Sequence, residues 1–265
     1  KLLTKKELSK LKYDRSDIAI DGVRLNRNFE VQHTLVHGTI GSGKSQLIMK
    51  FLDQIKERGD RIIIYDKGCS FLPHYFDEKK DRILNPFDKR CVQWDLWSDA
   101  SQIEDFEFLS QALIPLGDSE NPFWINSARS LLTDTANRMK NDDDRSINNL
   151  LKMLLTADLE TIAQYLTGTE SANLVDSKIE KTAITIKSVL ATYLKSLRFL
   201  NGLETERFSI KEFIENDNNG SLFITSNAKY HTSIRSLISM WISIASNTLL
   251  SMEENRDRRI WFVLD

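Results

Sequence analysis

The sequence predicts an α/β chain in which a parallel sheet carries an inserted all-helical block. Three observations carry this expectation. Five of the ten glycines crowd into residues 34–68 and no proline follows Pro122, so one short stretch needs unusual backbone and the rest reads as long, unbroken elements. Within that stretch a buried-type strand, an amphipathic helix and a second apolar strand follow one another, which is the pattern of a βαβ unit. From about residue 99 to 203 apolar residues recur at helical spacing, and strand texture resumes only at residue 221.

Taken in order, Ile18-Ala-Ile-Asp21-Gly22-Val-Arg-Leu25 alternates around an Asp-Gly pair and predicts a β-hairpin. Thr34-Leu-Val-His37 predicts a short buried strand. Leu47, Ile48, Phe51, Leu52 and Ile55 share one face of a helix over 45–58, with Gly59 as its C-cap. Arg61-Ile-Ile-Ile-Tyr-Asp66 is a continuous apolar run of the kind buried in a parallel sheet. Helices are expected over 103–114, 122–139, 147–155 and 159–166, and one long helix from about 172 to 199. A strand at 221–225, a helix at 233–252 and a strand at 260–265 complete the chain.

Composition bounds the function classes. The chain is 41% hydrophobic, ample for a core, and its 36 basic and 38 acidic residues nearly cancel, so no global basic footprint marks it as coating nucleic acid. Cys69 and Cys91 have neither metal-ligand spacing nor the number for a disulfide framework, which suits a reducing compartment, and the four histidines are scattered. No apolar run reaches the roughly 18 residues of a membrane helix. Residues 1–12 are basic without the apolar core of a secretory leader. A first residue Lys1, and an apolar run that stops at Asp265, read as a fragment truncated at both ends.

The most specific signal is Gly38-Thr39-Ile40-Gly41-Ser42-Gly43-Lys44-Ser45, which fits G-x-x-x-x-G-K-[ST] at every fixed position. Small residues let the backbone wrap a polyphosphate with converging N–H groups, and a helix beginning near Lys44 adds its dipole. In this arrangement Lys44 reaches the β- and γ-phosphates and the Ser45 hydroxyl ligates Mg²⁺. A strand before and a helix after separate the motif from a chance Gly/Ser loop. Such a site needs a second anion at the end of a neighbouring strand, and Ile260-Trp-Phe-Val-Leu-Asp265 supplies the pattern. An ordinary buried strand ending in an Asp turn gives the same pattern. Asp66 closes a similar strand and is a rival, expected at the nucleotide rim.

With that loop, Leu35-Val-His-Gly-Thr-Ile-Gly-Ser-Gly-Lys-Ser45, Arg58-Gly-Asp-Arg-Ile-Ile-Ile-Tyr-Asp66 and Ile83-Leu-Asn-Pro-Phe-Asp-Lys-Arg90 form an ordered series. It continues through Trp94-Asp-Leu-Trp97, Asn121-Pro-Phe-Trp124, Lys178-Ile-Glu-Lys-Thr-Ala-Ile184, Leu222-Phe-Ile-Thr-Ser-Asn-Ala228 and Glu254-Asn-Arg-Asp-Arg-Arg-Ile-Trp-Phe262. From about Asp21 to the last residue the series resembles the type IV secretion coupling proteins, most closely the TraD branch of F-like conjugative plasmids. The resemblance implies a RecA-like P-loop NTPase sheet with an inserted all-α domain, ATP and Mg²⁺ as cofactors, and assembly as a homo-hexamer. It implies docking of relaxosome proteins (the relaxase and an accessory DNA-binding protein) at the type IV secretion channel and ATP-driven export of single-stranded plasmid DNA. It further implies anchoring at the cytoplasmic face of the bacterial inner membrane through segments outside this chain. By position, residues 38–45 bind nucleotide, Lys44 and Asp265 act in hydrolysis, and Ser45 and Asp265 hold the metal. The catalytic glutamate, sensor and arginine finger fall outside the chain. The expected organisation is an extension with a hairpin over 1–30, the first part of the nucleotide-binding domain over 31–98, the all-α domain over 99–205, and the nucleotide-binding domain continued over 206–265.

Charge divides the helical block. Residues 95–170 carry 14 acidic and 5 basic side chains, whereas 174–200 carry Lys178, Lys181, Lys187, Lys195 and Arg198 against Asp176 and Glu180. The basic stretch is either a contact for DNA or another acidic partner, or an ordinary solvated helix face. Trp94, Trp97, Phe123 and Trp124 are read as packing at the domain junction in preference to base stacking. Asn85-Pro86-Phe87-Asp88 either directs Arg90 toward a neighbouring subunit or is a simple turn. Two other functions stay open beside the DNA motor: a relaxosome receptor in which nucleotide only orders assembly, and a generic hexameric DNA pump.

Overall fold

The structure is a computed structural model and describes residues 4–8, 10, 15–20, 22–117, 121–203, 205–216, 220–255 and 258–265. Two compact units divide it: Lys1–Ile62 with Arg256–Phe262, and Ile63–Asn255 with Val263–Asp265.

In the first unit a short helix α1 (Lys5–Leu8) precedes the hairpin of β1 (Arg15–Ile20) and β2 (Val23–Asn26). The strands pair antiparallel with Ile20 opposite Val23, as the Asp-Gly pair predicts; Asp21 itself lies outside the described residues. Helix α2 (Lys44–Arg58) follows, closed by Gly59. Gln54 of α2 reads the hairpin backbone with both ends of its amide, accepting from Ala19 N–H at 2.8 Å and donating to Ala19 C=O at 3.1 Å. Glu30 is the polar centre of the unit. Its carboxylate, only 4% exposed, accepts two guanidinium bonds from Arg58 at 3.1 Å, a bond from the Ser16 hydroxyl, and an ion pair with Arg259 at 3.5 Å. Burial raises its pKa, but the Arg58 and Ser16 hydrogen bonds and the two guanidinium charges outweigh burial and hold it below the usual range.

The strand expected at 34–37 does not form. These residues find no ladder partner among the described residues, and Leu35 is 88% exposed. A strand exists through its neighbour's N–H and C=O groups, so an apolar run alone does not make one.

The second unit is built on a sheet. In chain order its elements are the main part of β3 (Arg61–Lys67), α3 (Leu72–Tyr75), β4 (Arg82–Leu84), β5 (Gln93–Trp94), α4 (Leu96–Asp99), α5 (Ile103–Leu113), α6 (Pro122–Met139), α7 (Ile147–Leu151), α8 (Leu159–Tyr165), α9 (Glu180–Leu194), β6 (Arg207–Phe208), α10 (Ile210–Glu215), β7 (Ser221–Ser226), α11 (His231–Ser251) and the end of β8 (Ile260–Leu264). The sheet order is β4-β7-β3-β8. β4 and β7 run parallel. Gly68 N–H donates to Ser226 C=O at 2.7 Å and Asp265 N–H to Tyr65 C=O at 3.0 Å, so β3, β7 and β8 end on one edge. Every residue of β7 is buried, as are Ile63 and Ile64 of β3, which is why these strands read as unbroken apolar runs.

The helices of residues 103–200 pack around α6, whose Ile125, Ala128, Leu131, Leu132, Ala136 and Met139 are buried against neighbours that include α5 and α9. Asn121 caps the Phe123 N–H and Pro122 occupies the first turn, so α6 begins where the sequence places it. Two expected helices are interrupted. The 147–155 helix becomes α7 followed by a π-helical turn, Lys152–Thr156, closed by Ala157 N–H on Lys152 C=O. The long 172–199 helix is split into 3-10 turns at Glu170–Val175 and Ser177–Ile179, then α9, then a 3-10 turn at Lys195–Leu200. Asp176 causes the first break: in extended backbone, its carboxylate accepts from Lys178 N–H, a local bond that competes with helix continuation.

The chain leaves the sheet and returns to it through one knot of contacts. β5 and β6 pair in parallel, Gln93 beside Arg207 and Trp94 beside Phe208. Asp99, nine-tenths or more buried, accepts from the Trp94 indole at 2.6 Å, the Ser209 hydroxyl at 2.7 Å, Lys211 N–H at 2.8 Å and Ile210 N–H at 3.1 Å. Burial pushes its carboxyl pKa up against those four donors. Trp97 donates its indole N–H to Ala136 C=O at 2.9 Å. Trp94 and Trp97 thus seal the junction, whereas Phe123 is 51% exposed and meets Trp124 edge to face at 4.9 Å.

Asp99→Ala leaves four donors, three of them buried, without an acceptor and should cost about 3 kcal/mol in denaturant unfolding, with a red-shifted Trp94 emission. Glu30→Gln should cost about 1–2 kcal/mol at neutral pH. Because the folded-state pKa of Glu30 is lowered, its contribution is present above the unfolded value of about 4.3 and lost as pH falls through the folded value. The difference between Glu30→Gln and the native chain should therefore shrink in unfolding curves recorded at acid pH.

Candidate functional site: the phosphate loop

The loop of residues 38–45 lies in the first unit and runs directly into α2. Gly41 and Gly43 hold left-handed backbone, φ 80° and 87°, a conformation that side chains with a Cβ rarely adopt. Gly43 is the N-cap of α2 and offers no side chain to its first-turn N–H groups. Those donors lack intrahelical acceptors, and with the helix dipole they present positive potential where a phosphate would sit. Ser42 N–H closes a turn onto Thr39 C=O at 3.2 Å. Lys44 folds its ammonium back over the loop, 3.0 Å from both Gly38 C=O and Thr39 C=O. Thr39, Ile40 and Ser45 are exposed, with Ile40 at the tip. The donor set fits a polyphosphate: backbone amides, one ammonium and the hydroxyls of Thr39, Ser42 and Ser45, with no carboxylate within residues 38–45. The Ser45 hydroxyl is the hard oxygen type that Mg²⁺ takes.

The two aspartates considered for the metal lie in the second unit, and their surroundings differ. Asp66 is fully buried, and its carboxylate accepts Ser70 N–H at 2.7 Å, Phe71 N–H at 2.8 Å and Leu72 N–H at 2.9 Å. It is the staple of the loop after β3, where Gly68 and Cys69 both take left-handed backbone, φ 112° and 59°. Asp265 ends β8, is held through its own N–H to Tyr65 C=O, and leaves its side chain exposed. Sequence reasoning placed both at strand ends but missed the structural work of Asp66; the signal available was the run of small and polar residues after it, which needs an anchor.

Two of the basic residues singled out in the sequence have local partners. Lys187 of α9 donates its ammonium to Ala157 C=O and is half-buried, with burial lowering its pKa. It serves the end of the π-helical turn with one of its three donors. Arg90 is held by Asp88 through two bonds of 3.0 and 2.8 Å and lies over the Phe76 ring, so residues 85–91 form a turn that keeps this guanidinium within its own unit. Among the described residues, no group of three or more His, Cys, Asp or Glu side chains could hold a metal, and no helix is long and apolar enough to cross a membrane.

A parallel α/β sheet with a helical insertion and a glycine-rich loop leading into a helix defines a RecA-like P-loop nucleotide-binding fold. The chain belongs to the type IV secretion-system coupling proteins: the profile of that family's DNA-binding domain matches residues 17–265. It is 44% identical over 256 residues to coupling protein TraD of Escherichia coli (strain K12), covering 94% of this chain and 36% of that protein. Among solved structures, plasmid coupling protein TrwB in complex with the non-hydrolysable ATP analogue ADPNP matches with a TM-score of 0.86 at 27% identity, over 100% of this chain and 64% of that one. TrwB in complex with ADP and Mg²⁺ matches with a TM-score of 0.83 at 27% identity, over 98% and 62%. The chain therefore spans about a third of its curated relative and less than two thirds of these solved chains.

Asp66→Ala should cost about 2–4 kcal/mol, since three N–H groups, those of Phe71 and Leu72 buried, lose their acceptor. Amide hydrogen exchange at Ser70, Phe71 and Leu72 should accelerate; unchanged protection there would remove the staple role.

Proposed function

We propose that this chain is the nucleotide-driven part of a coupling protein that links the relaxosome to the type IV secretion channel and drives single-stranded plasmid DNA through it. The observation that carries the reading is the phosphate loop: left-handed Gly41 and Gly43 and the uncapped N-terminus of α2, in a chain of the coupling-protein family. In this reading residues 38–45 bind ATP, as the ADPNP and ADP–Mg²⁺ complexes of TrwB support. Lys44 exchanges its two carbonyl contacts for phosphate oxygens, and the Ser45 hydroxyl and Asp265 carboxylate hold the Mg²⁺. When bound, ATP would supply the γ-phosphoryl group whose transfer to water powers export, and Mg²⁺ would neutralise the charge on its phosphates. Asp265 is preferred to Asp66 for the metal role, since Asp66 is buried and its oxygens already accept three N–H groups.

The proposed organisation keeps the four segments 1–30, 31–98, 99–205 and 206–265, supported by the β5–β6 pair that closes the helical segment at its base. The full-length protein acts as a homo-hexamer at the cytoplasmic face of the inner membrane, anchored by segments outside this chain, and receives the relaxase with its accessory DNA-binding protein.

Lys44→Ala in the full-length protein should lower ATP turnover about a hundredfold or more and abolish plasmid transfer in a mating assay while leaving relaxosome capture intact. Transfer at the native rate would instead favour the receptor in which nucleotide only orders assembly. Asp265→Asn should weaken the Mg²⁺-dependent part of nucleotide binding; Asp66→Asn should act mainly on thermal stability.

A further inference from the structure

Three aromatic rings from distant parts of the second unit meet next to the ends of the sheet strands. Phe87, in the turn after β4, and Tyr230, the residue before α11, stack with centroids 4.1 Å apart and planes 20° apart. Phe199, in the 3-10 turn after α9, leans on Phe87 at 4.9 Å. The Ser236 hydroxyl donates to the Ser196 hydroxyl at 2.9 Å, which fixes that turn against the start of α11. The stack is not sealed: Phe199 is 36% exposed, and Phe87 and Tyr230 are half-buried.

Exposed cations surround it. Lys195 and Arg198 share the turn that carries Phe199, Lys229 sits 5.0 Å from the centre of the Tyr230 ring, and Arg235 lies one turn into α11. Lys195, Arg198 and Arg235 make no hydrogen bond or ion pair among the described residues. Arg235 acts electrostatically on His231, the residue after Tyr230. The carboxylate of Asp88, next to Phe87, is already occupied by Arg90. An open ring stack bordered by free cations has the chemistry of a single-strand platform: bases add to the rings and phosphates pass the charges. A duplex keeps its base faces stacked on one another and cannot use the rings.

We propose that Phe199, Tyr230 and the cations Lys195, Arg198, Lys229 and Arg235 form a contact site for single-stranded nucleic acid. The inference rests on the DNA-handling part of the proposed function and gives that part a location. Stacking on Tyr230 displaces Lys229 from the ring face, and the released ammonium stays beside the backbone of the same nucleotide. The 195–200 turn supplies both a ring and two charges, so the stretch that is basic in sequence enters this site through its last turn and not through Lys187.

The test uses the full-length protein and a fluorescein-labelled oligo-dT of about 20 nucleotides, longer than the roughly 4–16 that such sites cover, with a hairpin duplex of equal charge as the control. Phe199→Leu, at an exposed position, should bind the single strand about tenfold more weakly while keeping native thermal stability, native ATP affinity and native duplex binding. Tyr230→Phe should bind as the native protein does. Lys195→Gln with Arg198→Gln should reduce the slope of log affinity against log salt by about 1.4, some 0.7 for each lost phosphate contact. Native affinity in Phe199→Leu and an unchanged salt slope in the double variant would overturn the site while leaving the coupling function standing, as would equal loss on single strand and duplex. A native protein that bound no single strand would overturn the DNA reading itself, and the site with it.

Discussion

One buried carboxylate ties the two halves of the larger unit together. Asp99 lies where the chain leaves the sheet, and three of its four donors, the Ser209 hydroxyl and the N–H groups of Ile210 and Lys211, lie where the chain returns more than a hundred residues later. An unpaired carboxylate in that position would be strongly destabilising. The bonds therefore make the helical segment's two ends one object: the Trp94 indole, the N-terminus of α10 and the β5–β6 pair are all fixed by the same group. Everything between residues 100 and 206 can vary in packing detail provided that its ends arrive at Asp99.

The nucleotide loop depends on a different arrangement in the smaller unit. Apart from the Lys44 ammonium on Gly38 and Thr39 C=O, the loop has few contacts of its own to orient it, so its direction follows what α2 is fastened to. Gln54 fastens the helix to the hairpin backbone, and Arg58, in the last turn of the helix, is fixed by Glu30 and Asp60. Trp261 donates to the same Asp60 at 2.8 Å. These partners lie far from the loop in sequence, yet they decide which way the first turn of α2 points its free N–H groups.

Much of this was legible in the sequence where local chemistry decides the outcome. The Gly-rich loop and its helix, the Asp-Gly hairpin, the Asn121-Pro122 start of α6 and the apolar strands β3 and β7 each carry their own signals, and each sits where those signals place it. What local chemistry could not decide was partnership. Residues 34–37 have strand composition but no ladder to join, and the 172–199 run has helical spacing but an Asp176 side chain that bonds its own backbone. At the site, the loop residues were evident from spacing alone, whereas the fate of Asp66 and Lys187 depended on which backbone groups lay within reach. The stack of Phe87, Phe199 and Tyr230 was invisible for the same reason, since its members are separated by more than a hundred residues before they meet the first ring.

The parallel sense of the β5–β6 pair has a mechanical consequence. The helical segment is joined to the C-terminal end of β5 and to the N-terminal end of β6, and in a parallel pair those are opposite ends of the ladder. A force that separates these two junctions along the strand direction therefore slides one strand along the other instead of peeling them apart. Sliding loads the ladder bonds simultaneously, so the neck resists such tension as a clamp in shear.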